Sequence, residues 1–272
     1  MRGLRWNKEM GKFKISQIEI MNFWKRKQEG QYMKKLIEIS AKPLGIPVYL
    51  SYDDGALGFF KNYKKALTEH EECDGTHRLV IHDDMTFDRN VLEKIIYIMQ
   101  RAPQDAFVSF FNPTNKLYEE CDRNVLRTQS NFWIPCAVYP NEFIRKMIDT
   151  LETVSKEQYK DGVGDAQVAA YLQYTGQYAY AVVPGIVQHL GAYRSTLNIP
   201  GEIAGVPRNS CRYDNQLKVE NIDWEKEFKY PYEDNRTKDW TKKFLQEEYS
   251  NEYCNRKKNG RQCRNRARGN KV

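Results

Sequence analysis

The residues able to do chemistry fall in four short segments. The first is His77-Arg78-Leu79-Val80-Ile81-His82-Asp83-Asp84-Met85, where an apolar run, Leu79 to Ile81, stops in two adjacent carboxylates. The run reads as a buried strand. Carboxylates where such a strand meets solvent are costly unless paired or bound to a metal. In open α/β sheets the carboxyl ends of the strands are where ligands bind. Acidic groups there can hold a divalent cation, and the cation a diphosphate. Side chains alternate along a strand, so His82 and Asp84 share one side. That favours Asp84 as the metal ligand, with Asp83 touching a ribose or reaching the metal through water. The plainer alternative is an Asp-rich turn in which one of the two caps the next helix.

The second segment is Gln188-His189-Leu190-Gly191-Ala192-Tyr193-Arg194-Ser195. A neutral imidazole at His189 suits Mn²⁺ or another first-row metal better than Mg²⁺, and Tyr193 and Arg194 have the groups to bind a diphosphate. By itself His189 reads first as a structural histidine, and only together with the Asp pair as a ligand. The third is Asp161-Gly162-Val163-Gly164-Asp165-Ala166-Gln167. Its glycines leave the backbone open to a substrate. Asp165 is either a helix N-cap or a carboxylate that binds or deprotonates an acceptor hydroxyl. In the fourth, Asp53-Asp54, a carboxylate can accept from a nucleobase or ribose, and an Asp-Gly turn explains it as well. Arg78, Lys64 and Lys65 are candidate phosphate partners, the two lysines reading first as a solvated helix face.

The elements that must position these groups can be read from periodicity. Phe13 to Asn22 alternates apolar and polar residues, as a strand does. Glu29 to Ala41 reads as a helix with Met33, Leu36, Ile37 and Ile39 as its apolar residues, stopped by Pro43 and Gly45. Ile46 to Tyr52 is a second strand, Phe59 to Glu72 a helix, and Leu79 to Ile81 a third strand. This β-α-β-α-β start predicts parallel strands. Beyond it come a helix over Asn90 to Arg101, strands over Ala106 to Phe111 and Trp133 to Val138, and helices over Glu142 to Thr153 and from Asp165 to Gln173. Tyr178 to Val187 reads as a strand pair or a kinked strand. From about Ser195 periodicity fades. Residues 201–255 read as a C-terminal wrap, with a helix over Trp240 to Tyr249, and 256–272 as a basic flexible tail.

Composition narrows the classes. The chain has 272 residues, 40% of them hydrophobic, enough for one large α/β domain with an extension. No apolar run reaches the roughly 20 residues of a membrane span, and Met1 to Lys14 lacks a signal-peptide core. A soluble, cytoplasmic protein is expected. Six cysteines (Cys73, Cys121, Cys136, Cys211, Cys254, Cys263) form no CxxC pair, so neither zinc spacing nor a disulfide framework is present. The net charge is +7, and residues 256–272 hold eight Lys or Arg and no acid, leaving the rest of the chain at about −1. A nucleic-acid binder would carry its basic residues on the folded body among aromatics, so that reading, acting through the tail, ranks last.

Together these segments resemble a nucleotide-sugar glycosyltransferase of the GT-A fold over about residues 13–200. The wording of LVIHDDM, WIPCAVY, GDAQVAAYL and VQHLG is most similar to the glycosyltransferases encoded by chlorella viruses. The resemblance implies a GT-A-like, Rossmann-like mixed and mostly parallel sheet flanked by helices, with residues 1–200 as the nucleotide-sugar-binding and catalytic core. It implies a UDP-sugar donor, Mn²⁺ or Mg²⁺, a glycan or glycoprotein acceptor, and a place in viral glycan synthesis in the host cytoplasm; glucose is the first sugar to consider. Carried over by position, Asp84 and His189 are metal ligands, Asp83 and Asp53 contact the nucleoside, Met21 and Asn22 lie by the uracil, and Asp165 faces the acceptor. His82 stands where the family's first Asp of the triplet stands, which puts a ribose contact from that position in doubt. A nucleotidyltransferase is the alternative, but residues 22–27 lack the glycines of its phosphate loop.

Overall fold

The computed structural model describes residues 13–55, 58–70, 75–112, 116–130, 133–154, 164–190 and 212–236. The chain opens as β1 (Ile15–Asn22), α1 (Lys27–Ala41), β2 (Val48–Tyr52), α2 (Gly58–Thr68) and β3 (His77–His82). β1 lies between β2 and β3 and pairs with both in parallel, as the crossover pattern requires. There follow β4 (Met85–Phe87), α3 (Val91–Met99), β5 (Phe107–Ser109), α4 (Lys116–Glu120), β6 (Val125–Thr128), β7 (Cys136–Pro140), α5 (Asn141–Val154), α6 (Gly164–Thr175), β8 (Ala179–Val182), β9 (Val187–His189), α7 (Trp224–Lys229) and β10 (Tyr232–Glu233).

Eight strands form one mixed sheet in the order β10-β6-β8-β5-β7-β3-β1-β2. β2, β1, β3, β5 and β8 point one way. β7 runs against them between β3 and β5, and β6 and β10 run against them at the far edge. β4 and β9 make a separate two-stranded ribbon. Of the two readings of Tyr178 to Val187, a strand pair or a kinked strand, the pair holds: β8 lies in the large sheet and β9 in the ribbon.

Helices cover both faces of the large sheet. α1 and α3 bury Met33, Ile37, Leu92, Ile95 and Ile98 against one face. α2, α5 and α6 bury Tyr63, Met147, Ile148, Val168 and Leu172 against the other. The alternation in β1 reads as a strand with one wet face, yet all eight residues are buried. Its polar members find partners inside: the Gln17 amide donates to Glu19 Oε1 at 2.7 Å, and the Ser16 hydroxyl donates to the His77 carbonyl at 2.9 Å. Burial pushes the Glu19 carboxyl up. In α1 the inward face is Gly30, Met33, Ile37 and Ala41. Leu36 and Ile39, read as part of the apolar face, are exposed: with Gly30, Met33, Ile37 and Ala41 turned inward, Leu36 falls on the flank of the helix and Ile39 on its far side. Gly45 ends the helix region with a left-handed φ of 68°.

Of the expected C-terminal wrap, residues 212–236 are described. They add β10 to the sheet edge and bury Trp224, whose indole N–H donates to the Val219 carbonyl at 2.7 Å. The helix read over Trp240 to Tyr249 and the basic tail lie outside the described residues. Among the described residues Cys121 and Cys136 are buried free thiols, and no helix is long and apolar enough to cross a membrane.

His77 opens β3 fully buried, 2.7 Å from the Thr76 hydroxyl and with its ring against Phe13. Burial lowers its pKa from 6.5 to about 4. The unfolded chain therefore takes up this proton at a higher pH than the folded protein does. The contribution of His77 to stability is complete above pH 6.5 and drains away as the pH falls toward 4. At about 1.4 kcal/mol per pH unit, the loss between pH 7 and pH 4.5 comes to about 2.5 kcal/mol. Urea unfolding at those two values should show His77→Phe losing about 2.5 kcal/mol less than the wild type. An equal loss in both proteins would place the acid sensitivity elsewhere.

Candidate functional site

The parallel strands deliver their carboxyl ends to one edge. There the Asp53 N–H donates to the Asn22 carbonyl at 3.0 Å, and the Asp83 N–H to the Met21 carbonyl at 3.1 Å. Asp53, Asn22 and Asp83 therefore sit side by side at the ends of β2, β1 and β3. β8 is parallel to β3, and α6 leads down to its start, so α6 begins at this same edge with Gly164 and Asp165.

β3 ends at His82, and Asp83 and Asp84 form the turn that follows. Strand alternation therefore stops before them, and the expectation that they face opposite sides does not hold. Both carboxylates converge on one guanidinium, with Arg26 Nη2 2.6 Å from Asp83 Oδ1 and Nη1 3.0 Å from Asp84 Oδ2. Asp83 Oδ2 also accepts from the Asn22 amide at 2.6 Å and the Phe23 N–H at 2.7 Å. Both Asp83 oxygens are thus engaged by the protein itself.

Directly after the turn, β4 pairs with β9 with Met85 opposite His189, and the Leu190 N–H donates to the Asp84 carbonyl at 2.7 Å. This ribbon places His189 Nε2 3.1 Å from Asp84 Oδ2. Two residues far apart in sequence are so brought into direct contact. Burial works to raise the Asp84 carboxyl, but the His189 hydrogen bond and the charge of Arg26 outweigh it and hold the group well below the usual carboxylate range. Burial pushes the Asp83 carboxyl up, with Arg26 pulling against it. Burial likewise lowers His82 to about 4, so that ring is neutral near pH 7.

A divalent cation is compatible with the pair formed by Asp84 and His189. Two donors about 2.1 Å from one octahedral cation, on adjacent corners, lie about 3.0 Å apart, close to the observed 3.1 Å. Asp84 Oδ1 and His189 Nδ1 are buried and have no hydrogen-bond partner. Among the described residues no group of three or more His, Cys, Asp or Glu side chains forms a metal cage. Two protein donors leave the other positions to water and ligand oxygens, which is how cations bridging to phosphates are held.

The remaining expected residues divide. Met21 is buried in β1 opposite Ser51 and His82. Asp53 is buried, and its Oδ1 accepts from the Gly55 N–H at 2.9 Å, closing the Asp-Gly turn. Arg78 is not brought to the site. It lies near the start of β3, about 16 Å down the strand from Asp83, buried and donating to the Ala66 carbonyl at 3.2 Å. Lys65 pairs with Glu69 and donates to the Tyr52 carbonyl, and Lys64 is half-buried on α2. Tyr193 and Arg194 lie outside the described residues.

Two site residues were not anticipated. Arg26 sits in a basic run, Lys25-Arg26-Lys27, and only its burial separates it from its neighbours. Trp24 is 43% exposed at the same edge, its ring in contact range of Gly55 in the turn after β2. An exposed ring beside Asp53 suits the face of a nucleobase. Compared with known protein families and with curated proteins, the chain matches none.

Proposed function

We propose that this protein is a GT-A fold nucleotide-sugar glycosyltransferase. It moves a hexose from a UDP-sugar, with glucose the first to test, to a hydroxyl of a glycan or glycoprotein acceptor. One observation carries the reading: the β4–β9 ribbon sets His189 against Asp84 at the carboxyl edge of a mostly parallel sheet, beside Asp53 and Asn22. That edge is where α/β sheets bind nucleotides.

In this reading Asp84 and His189 hold Mn²⁺ or Mg²⁺. Such a cation neutralises the charge that develops on a departing diphosphate. Asp53 accepts from the uridine, and Trp24 offers its ring to the base. Asp83 touches no substrate group directly; it fixes the turn that aims Asp84. Asp165 orients or deprotonates the acceptor hydroxyl as the anomeric carbon becomes oxocarbenium-like.

Calorimetric titration with UDP-glucose, with and without Mn²⁺, tests the reading. The wild type should bind with Mn²⁺ and lose at least about tenfold in affinity without it, about 1.4 kcal/mol. Asp84→Ala should abolish the metal-dependent part. Absence of UDP binding under either condition would remove the proposal.

A further inference from the structure

The acidic turn already holds a cation of its own. Arg26 is nine-tenths buried, and its guanidinium spans both carboxylates, at 2.6 Å from Asp83 and 3.0 Å from Asp84. The neighbouring lysines do not share this task. Lys25 lies over the Trp24 ring and Lys27 over the Tyr52 ring. The backbone around Arg26 is fixed, because the Asn22 amide donates both to its carbonyl, at 2.8 Å, and to Asp83. Asn22 has room for this only because position 30 of α1 is a glycine. A Cβ there would stand 2.4 Å from the Asn22 amide nitrogen. The side chain of Arg26 is therefore the part able to change partners.

A divalent cation at Asp84 and His189 would share the Asp84 oxygen that Arg26 already holds. Two cations on one buried oxygen repel strongly where water is scarce. Releasing Arg26 with nothing to receive it would strand a buried charge. A diphosphate removes that penalty, since its oxygens match the planar fork of a guanidinium. We infer that Arg26 is an exchangeable counter-ion of the acidic turn. It balances Asp83 and Asp84 when the cleft is empty and transfers to the diphosphate when metal and nucleotide enter, so that the two bind together and not singly. This rests on the metal–diphosphate reading of the same site. By linkage, whatever factor the nucleotide adds to metal affinity, the metal adds to nucleotide affinity.

Free Mn²⁺ can be followed by electron paramagnetic resonance with wild type and Arg26→Gln, each with and without UDP. In the wild type UDP should tighten Mn²⁺ binding by about tenfold or more, within the usual range of such couplings. In Arg26→Gln, Mn²⁺ alone should bind about tenfold tighter than in the wild type, and the factor that UDP adds should be at least about threefold smaller than in the wild type. A wild type that binds both UDP and Mn²⁺, but whose Mn²⁺ affinity UDP leaves unchanged, overturns the inference while the glycosyltransferase reading stands. Equal Mn²⁺ affinity of the two proteins without UDP overturns it too. Failure of the wild type to bind UDP under any metal condition overturns both. A wild type without coupling overturns the inference even where the variant does not fold.

Discussion

Asp83→Ala should destabilise the protein by about 3–5 kcal/mol, the range for breaking a buried ion pair by removing one partner. Asp83 is 1% exposed and accepts from three donors: the Arg26 guanidinium, the Asn22 amide and the Phe23 N–H. Removing it leaves part of a buried guanidinium, an amide and a backbone N–H without their acceptor, and each orphaned group carries its own desolvation cost. Asp83→Asn keeps a neutral acceptor of the same size for Phe23, so it should recover part of the loss. Asp84→Ala should cost less than Asp83→Ala, because Asp83 still pairs with Arg26 when Asp84 is gone. Urea unfolding near pH 7 ranks the three variants. If Asp84→Ala proved the more destabilising, the division of labour between a carboxylate that holds the turn and one that faces the ligand would be wrong.

That division could not be read from the dipeptide Asp83-Asp84. Which of two adjacent carboxylates faces a ligand depends on where the strand stops, and β3 stops at His82, before the pair. The β-α-β-α-β start was legible because its apolar runs are long and its stops, such as Pro43 and Gly45, are local chemistry. The strand direction of β1, β2 and β3 followed from it. β4 and β9 were not legible, since three residues carry too little pattern to mark a strand. Yet their pairing is what brings His189 to Asp84. The same holds for β6 and β10 at the far edge and for the reversal of β7. These are set by which strand the sheet accepts as a neighbour, a tertiary choice that no single segment encodes.

Arg26 makes the same point at a single residue. In Trp24-Lys25-Arg26-Lys27 three cations look alike, and two of them are exposed. The clue lay in three separate places: a polar Asn22 ending a buried strand, a glycine at position 30 inside an otherwise sound helix, and two carboxylates some sixty residues on. A helix gives up about 1 kcal/mol by carrying glycine in place of alanine. Gly30 is retained where a Cβ would collide with Asn22, so the local weakness of α1 serves the geometry of the acidic turn. The sequence shows the glycine, but only the packing shows its neighbour.

Asp165→Asn should leave folding and UDP binding intact and lower transfer by about 10²- to 10⁴-fold, the usual share of a general base. α6 feeds β8, β8 is parallel to β5 and β3, and so the first turn of α6 stands at the edge that carries Asp84. Asp165 lies inside that turn and not before it, and its Oδ1 accepts from the adjacent Ala166 N–H at 3.0 Å. Behind Asp165 the core closes with the Tyr63 and Tyr139 hydroxyls 2.9 Å apart. Burial first, and Asp165 among several smaller contributors, hold the Tyr139 phenol well above its ordinary value, so it remains protonated near pH 7. Asp165 is the ionisable side chain of the first turn of α6, and in the proposed reaction it takes the proton of the acceptor hydroxyl. UDP release from UDP-glucose in the presence of a panel of glycan acceptors measures the effect, with calorimetry confirming that UDP still binds. Asn is nearly isosteric with Asp and does not take up a proton, so transfer and binding should separate cleanly. A fall in transfer of less than about tenfold would deny Asp165 the role of base and leave it the task of orienting the acceptor.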